Sequence, residues 1–121
     1  MQNLMITWTG ASGNRYTGET VPIGIEFRPL SGVYIACKAV PQGWLALYVG
    51  ETHDLFQRLY AGLEGHDGIK RARTSGATHF SVHLVSGNAE RLRVETDLRH
   101  GLNPSCNLQP VNALGLSMFR K

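Results

Sequence analysis

Three residues in the stretch LALYVGETHDLFQRL, positions 45 to 59, bring together a phenol, a small residue and a guanidinium: Tyr48, Gly50 and Arg58. An apolar run stops at the glycine, and within three residues the pattern becomes that of a helix carrying one arginine. A strand end, a tight turn and a first helical turn lie close in space, so these three residues can line one site. A cation beside a hydroxyl donor suits an anion. The remaining charge agrees, because Lys70, Arg71, Arg73, Arg91, Arg93, Arg99 and His100 all fall in the second half of a chain whose formal net charge is +3. That uneven placement favours an anionic partner.

The elements that position such a site follow from periodicity. In SGVYIACK, Val33, Ile35 and Cys37 alternate with Tyr34, Ala36 and Lys38; after the loop AVPQGW, Leu45, Leu47 and Val49 alternate with Ala46, Tyr48 and Gly50. Two strands and a short loop predict a hairpin in which the aliphatic residues share one face and both tyrosines the other. Past Gly50, Thr52 or Asp54 is placed to cap a helix with Leu55 and Leu59 four apart, ended by Gly62. Residues 64 to 76, EGHDGIKRARTSG, are a short helix or an ordered loop. THFSVHLV at 78 to 85 predicts a third strand with Phe80, Val82 and Leu84 on one face and His79, Ser81 and His83 on the other. NAERLRVETDLRHG predicts a last helix opened by Asn88, closed by Gly101 and cored by Val94 and Leu98.

At 121 residues and 42% hydrophobic, the chain can bury the core of one compact domain without staples. The expected layout is a β extension over residues 1–31, with Trp8, Arg15 and Tyr16 around the turn cluster TGASGN, a central domain over 32–107 and a tail over 108–121. Cys37 and Cys106 stand far apart with no CxxC pairing, the usage of a reduced compartment. No window approaches the run of about 18 apolar residues that a membrane span needs. A cytoplasmic protein with no membrane partner is expected. His79 and His83 are four apart, but on a strand that spacing is about 13 Å, too far for one zinc ion.

Taken together these elements resemble the GIY-YIG nuclease domain, found in homing endonucleases, some restriction enzymes and the incision subunit of bacterial nucleotide excision repair. Gly32, Val33 and Tyr34 stand for the first motif, and Tyr48, Val49 and Gly50 for the second. Arg58 lies where the family has its helix arginine. ETDLRHGLNPSCN, opening at Glu95, resembles the closing signature through Leu98, Pro104 and Asn107. The resemblance covers roughly residues 31 to 107. It implies an α+β (α/β) fold, with a central three-stranded, mainly antiparallel sheet flanked by helices and preceded here by the N-terminal β extension. Two departures stand out: Glu51 replaces a frequent lysine or serine, and Gly62 stands where a histidine often follows the arginine, a role open to Tyr60 or His66.

The resemblance implies a DNA endonuclease hydrolysing phosphodiester bonds at a one-metal site. Glu95 would hold Mg²⁺ or Mn²⁺, and Arg58 would present its fork to the scissile phosphate. Tyr34 or Tyr48 would take the proton of the attacking water; spacing does not choose between them, and the preference goes to Tyr34. Glu51 is expected to favour the following helix N-terminus electrostatically. Gly32 and Gly50 would let substrate approach, Asn107 would tether the last loop or contact phosphate, and His66, Lys70, Arg71 and Arg73 would track the DNA backbone. Single-stranded, duplex and branched DNA all remain open as substrates, as do monomer and homodimer. The alternative is a nucleic-acid binding module of the same fold without catalysis, against which the presence of Tyr34, Tyr48, Arg58 and Glu95 together argues.

Overall fold

The structure, a computed structural model, describes residues 4–107; the expected tail at 108–121 lies outside the described residues. Five strands, β1 (Leu4–Thr9), β2 (Arg15–Pro22), β3 (Gly32–Val40), β4 (Gly43–Thr52) and β5 (His79–Leu84), form one sheet in the order β1-β2-β5-β3-β4. Every pairing is antiparallel. Between β4 and β5 come a π-helical turn (Gln57–Ala61), a 3-10 turn (Leu63–Gly65) and helix α1 (Asp67–Thr74); helix α2 (Asn88–Leu102) follows β5. The three strands expected from the motifs are the β5-β3-β4 half of the sheet.

The N-terminal hairpin extends that half. β2 pairs with β5 from Glu19↔Val82 to Pro22↔His79, covering what would be an open edge. Its aromatics are packing residues: Trp8 and Tyr16 are buried, Trp8 Nε1 donates to Ser81 Oγ at 2.9 Å, and Tyr16 Oη donates to Asp97 Oδ2 at 2.7 Å. Neither ring is free to stack on a base.

Both faces of the sheet are covered. Val33, Ile35, Cys37 and Val49 pack with Trp8, Tyr16 and the Val94 and Leu98 stripe of α2. Tyr34, Ala36, Phe80 and Val82 pack on the other face with Leu55, Leu59, Leu63, Ile69 and Ala72. The expected alternation in β4 fails at one point. The register steps from Ala36↔Tyr48 to Cys37↔Ala46, which leaves Leu47 as a bulge residue. Leu47 therefore joins the core on the tyrosine face, Ala46 the opposite one, and Leu45 is exposed.

Helix ends depend on what packs there. The Asp54 carboxylate accepts from the Gln57 N–H, as the cap reading requires, and Gly62 closes the turn by donating its N–H to Gln57 O. That bond spans five residues, so the segment is wider than an α-helix. In α2 the expectation is corrected at both ends. Gly87 precedes the helix, Asn88 is its first residue, and the helix runs past Gly101 to Asn103, which caps it at φ 48°. Gly101 serves packing instead, since a Cβ there would lie 2.5 Å from the Ala11 nitrogen. Cys37 and Cys106 are free and buried, and burial pushes the Cys37 thiol up to about 12. Among the described residues no helix is long and apolar enough to cross a membrane.

Candidate active site

Alternation along β3 and β4 puts Tyr34 and Tyr48 on one face with ring centroids 6.2 Å apart. Their surroundings differ. Tyr34 is wholly buried, and burial pushes its phenol well above the usual tyrosine value. Tyr48 is half-buried; burial raises its phenol too, opposed by the charges of Arg58, Arg71 and Arg99 and reinforced by Glu95. The fold thus brings a carboxylate and three guanidinium groups into electrostatic range of one solvent-reaching phenol. The preference for Tyr34 as base meets a physical obstacle, because a buried phenol with a raised pKa touches no water.

Arg58 Nη1 donates to Tyr34 Oη at 3.4 Å, and His66 Nε2 stands 3.1 Å from the same oxygen. The tautomer of His66 follows from its other nitrogen. His66 caps α1, with Nδ1 accepting the Ile69 N–H at 3.1 Å, so Nδ1 carries no proton and the neutral ring carries it on Nε2. Nε2 is therefore a donor, and two donors converge on the Tyr34 oxygen. Burial and the Arg58 charge both lower the His66 pKa, consistent with a neutral ring. His66 also meets Tyr48 edge-on at 5.4 Å.

Glu95 lies on α2, whose neighbouring turn supplies its partner. Arg99 Nη1 donates to Glu95 Oε1 at 2.6 Å and Oε2 at 2.7 Å. Glu51 does not act at the helix N-terminus as expected. It accepts from Arg91 Nε at 2.7 Å, and Arg91, a buried residue, also donates to Asn88 Oδ1 and Ser86 O. The acidic side chain beside the second motif is spent on holding α2 to β4.

The other residues assigned to substrate divide. Gly32 and Gly50 make room for protein: a Cβ at Gly50 would lie 2.5 Å from Tyr34 Oη, and one at Gly32 2.8 Å from the His83 carbonyl oxygen. Asn107 is a tether, its Oδ1 accepting the Val49 N–H at 2.8 Å and its Nδ2 donating to Val49 O at 2.9 Å. With Cys106 N donating to Leu47 O, this clamps the backbone on both sides of Tyr48. Arg71 Nε is anchored on Cys106 O at 3.2 Å. Lys70 and Arg73 are exposed, Arg73 in a surface pair with Glu64, and Lys38 Nζ donates to Ser75 O. His79 packs on Trp44 while His83 meets Thr17 O and Tyr16, so they share no site.

Three contributors escaped the sequence reading. Gly68, in the first turn of α1, is where the Tyr48 ring packs, and no side chain fits there. Arg91 and Arg99 stood only among the basic residues; the signal for Arg99 was its i,i+4 spacing from Glu95.

Whether a metal suits these residues turns on Glu95. Among the described residues no three His, Cys, Asp or Glu side chains gather as a metal cluster. One carboxylate suits a hard cation that keeps most of its waters. A carboxylate has about four lone-pair positions; the Arg99 nitrogen engages one on each oxygen, Thr96 Oγ1 donates to Oε1 at 3.4 Å, and what remains on Oε2 can meet an ion.

No protein-family model matches the chain, and no curated protein does. Among solved structures it is similar to the GIY-YIG N-terminal endonuclease domain of UvrC from Thermotoga maritima, a tyrosine-to-phenylalanine point mutant bound to its catalytic divalent cation. The TM-score is 0.55 at 23% identity, over 68% of this chain and 87% of that one. With the order β5-β3-β4, paired tyrosines and α2 behind the sheet, the chain has the GIY-YIG nuclease fold.

Proposed function

We propose that the protein is a divalent-metal-dependent endonuclease hydrolysing phosphodiester bonds of DNA at a single site formed by Tyr48, Arg58, His66 and Glu95, with Tyr34 beneath. The observation that carries this reading is Arg58. It is half-buried, has no carboxylate partner among the described residues, and makes one side-chain hydrogen bond there, to Tyr34. A guanidinium kept in that state beside two phenols has donors left for a phosphate.

Mg²⁺ or Mn²⁺ at Glu95 would supply charge neutralisation on a nonbridging oxygen and on the departing 3′ oxygen. Arg58 would donate its planar fork to the scissile phosphate. Tyr48 meets the attacking water and, as phenolate, takes its proton; the water oxygen forms the new P–O bond as the bond to the 3′ oxygen breaks, and solvent protonates that oxygen. Arg58, Arg71 and Arg99 favour the phenolate and oppose, without cancelling, the burial that raises this phenol; a cation held at Glu95 would add to them. Tyr34 fixes Arg58 and is itself held by His66. Exposed Lys70 and Arg73 offer sequence-independent backbone contacts. One such site cuts one strand, so a double-strand break needs a homodimer or two successive events.

The test is incubation with end-labelled single-stranded, duplex and branched DNA in Mg²⁺, Mn²⁺ or EDTA, with Glu95→Ala alongside. Metal-dependent cutting that disappears in the variant is the expected result. Binding without cutting on every substrate would make the chain a binding module instead.

A further inference from the structure

Arg99 holds Glu95 in an unusual way. One nitrogen, Nη1, bridges both carboxylate oxygens at 2.6 and 2.7 Å, in place of the two parallel bonds that a guanidinium fork forms with a carboxylate. Its Nε is buried and has no partner among the described residues. The pair is shielded, with side-chain exposures of 20% for Arg99 and 13% for Glu95, so its charges interact strongly. Beside it opens a cleft of about 190 Å³ lined by Arg99, His100, Asn103, Pro104 and Asn107. The guanidinium therefore has donors to spare and space to turn into.

We infer that Arg99 sets the affinity of the metal at Glu95 and couples it to nucleic acid: it competes with the cation for the carboxylate until a substrate phosphate draws it away. This rests on Glu95 being the metal ligand. Two cations cannot approach one carboxylate without repelling each other, so Arg99 weakens the binding of metal alone. A phosphate offers Arg99 two oxygens for its fork, a geometry that it does not make with Glu95, and its move frees Glu95 lone pairs. By linkage, metal must then strengthen nucleic-acid binding by the same factor. Arg99 is a positioning residue in this scheme, acting through Glu95.

Mn²⁺ titration followed by electron paramagnetic resonance, without turnover, separates the outcomes. Arg99→Gln is expected to bind Mn²⁺ about tenfold more tightly than wild type, the size of effect expected from removing one charge beside a screened divalent ion, while Arg99→Lys stays near wild type. Weaker or unchanged binding in a folded Arg99→Gln overturns the inference, because an arginine that only oriented Glu95 would leave binding impaired when lost. The wild-type chain gives a second reading that needs no variant: a thymidine hexanucleotide with hydrolysis-resistant phosphorothioate linkages should raise its Mn²⁺ affinity, and no rise overturns the coupling. Glu95→Gln in the same titration tests the underlying reading separately. If it binds Mn²⁺ as wild type does, Glu95 is not the ligand; if it loses the metal while Arg99→Gln gains nothing, the assignment to Arg99 alone fails.

Discussion

Helix α2 carries two carboxylates two residues apart, and the fold treats them differently. Asp97 accepts from the Ser12 N–H at 2.8 Å, the Ser12 hydroxyl at 2.7 Å and the Tyr16 hydroxyl at 2.7 Å. Its backbone carbonyl also accepts the Ala11 N–H at 3.0 Å. Every one of those donors is neutral and belongs to the β1–β2 hairpin. Glu95 is engaged chiefly by Arg99, one turn away on its own helix. A carboxylate held by several neutral groups from a distant element joins the two parts of the protein, whereas one held within its own helix, by Arg99 and by a longer bond from Thr96, joins nothing beyond that helix and can change partners at small structural cost.

Exchanging the two roles by mutation is the strongest way to break that contrast. On the proposed reading Glu95→Gln removes the metal ligand and should lower metal-dependent cleavage by at least about a thousandfold, while the glutamine amide oxygen still accepts from Arg99 and limits the change in melting temperature. Asp97→Asn should do the reverse, losing several degrees of melting temperature while cleavage stays within about threefold. Parallel thermal melts and cleavage rates decide it. Equal loss of cleavage in both would mean that hairpin docking is part of the site.

Arg58→Lys sharpens the distinction between binding a phosphate and merely carrying charge. Lysine keeps the cation but lacks the planar fork, and it reaches either Tyr34 or the phosphate. A drop of about a hundredfold in cleavage rate is expected, mostly in kcat. A lysine variant as fast as wild type would reduce Arg58 to an electrostatic role.

What was legible beforehand follows the range of the interactions. Alternation and capping need only neighbours, so the hairpin, the Asp54 cap and the third strand could be read, as could the sharing of one face by Tyr34 and Tyr48. The bulge at Leu47 could not, because it depends on how β4 meets β3 across the hairpin. Glu51 looked available because its partner Arg91 stands 40 positions away. His66 was read as one of two alternatives, with Tyr60, for a missing histidine, and its donor role emerges only when the Ile69 N–H fixes the tautomer. For Asn107 the two readings, loop tether or phosphate contact, could be separated only once both ends of its amide were seen on the edge of β4.

The Asp97 network also implies a pH dependence of stability. Its hydrogen bonds from Tyr16 and then Ser12 hold the carboxyl below the usual carboxylate range in the folded protein. A folded pKa below the unfolded one means that the unfolded chain takes the proton first as pH falls. The contribution is therefore full above the ordinary aspartate value of about 4 and is lost as pH drops through the folded value. Denaturant titrations between pH 6 and pH 3 should show wild type losing its advantage over Asp97→Asn across that window. Parallel curves would mean that the hydrogen bonds do not depend on charge.

His66 combines both kinds of role in one side chain, and the smallest predicted effect separates them. Nδ1 caps α1 through Ile69, a structural duty, while Nε2 donates to Tyr34 beneath the site. Asparagine is a good N-cap, but its shorter side chain cannot also reach Tyr34. His66→Asn should therefore keep the melting temperature near wild type at pH 8 and slow cleavage about tenfold, within the range for a lost supporting hydrogen bond. The two proteins should diverge in acid. Burial and Arg58 lower the His66 pKa on folding, so wild type loses stability as pH falls below the unfolded value of about 6.5, where protonating Nδ1 would break the cap. The asparagine variant has no such proton to take up, and its stability should stay flatter from pH 7 to pH 5. A variant that melts early at pH 8 but cleaves at the wild-type rate would make His66 a cap and nothing more, leaving Arg58 as the donor that holds the buried phenol.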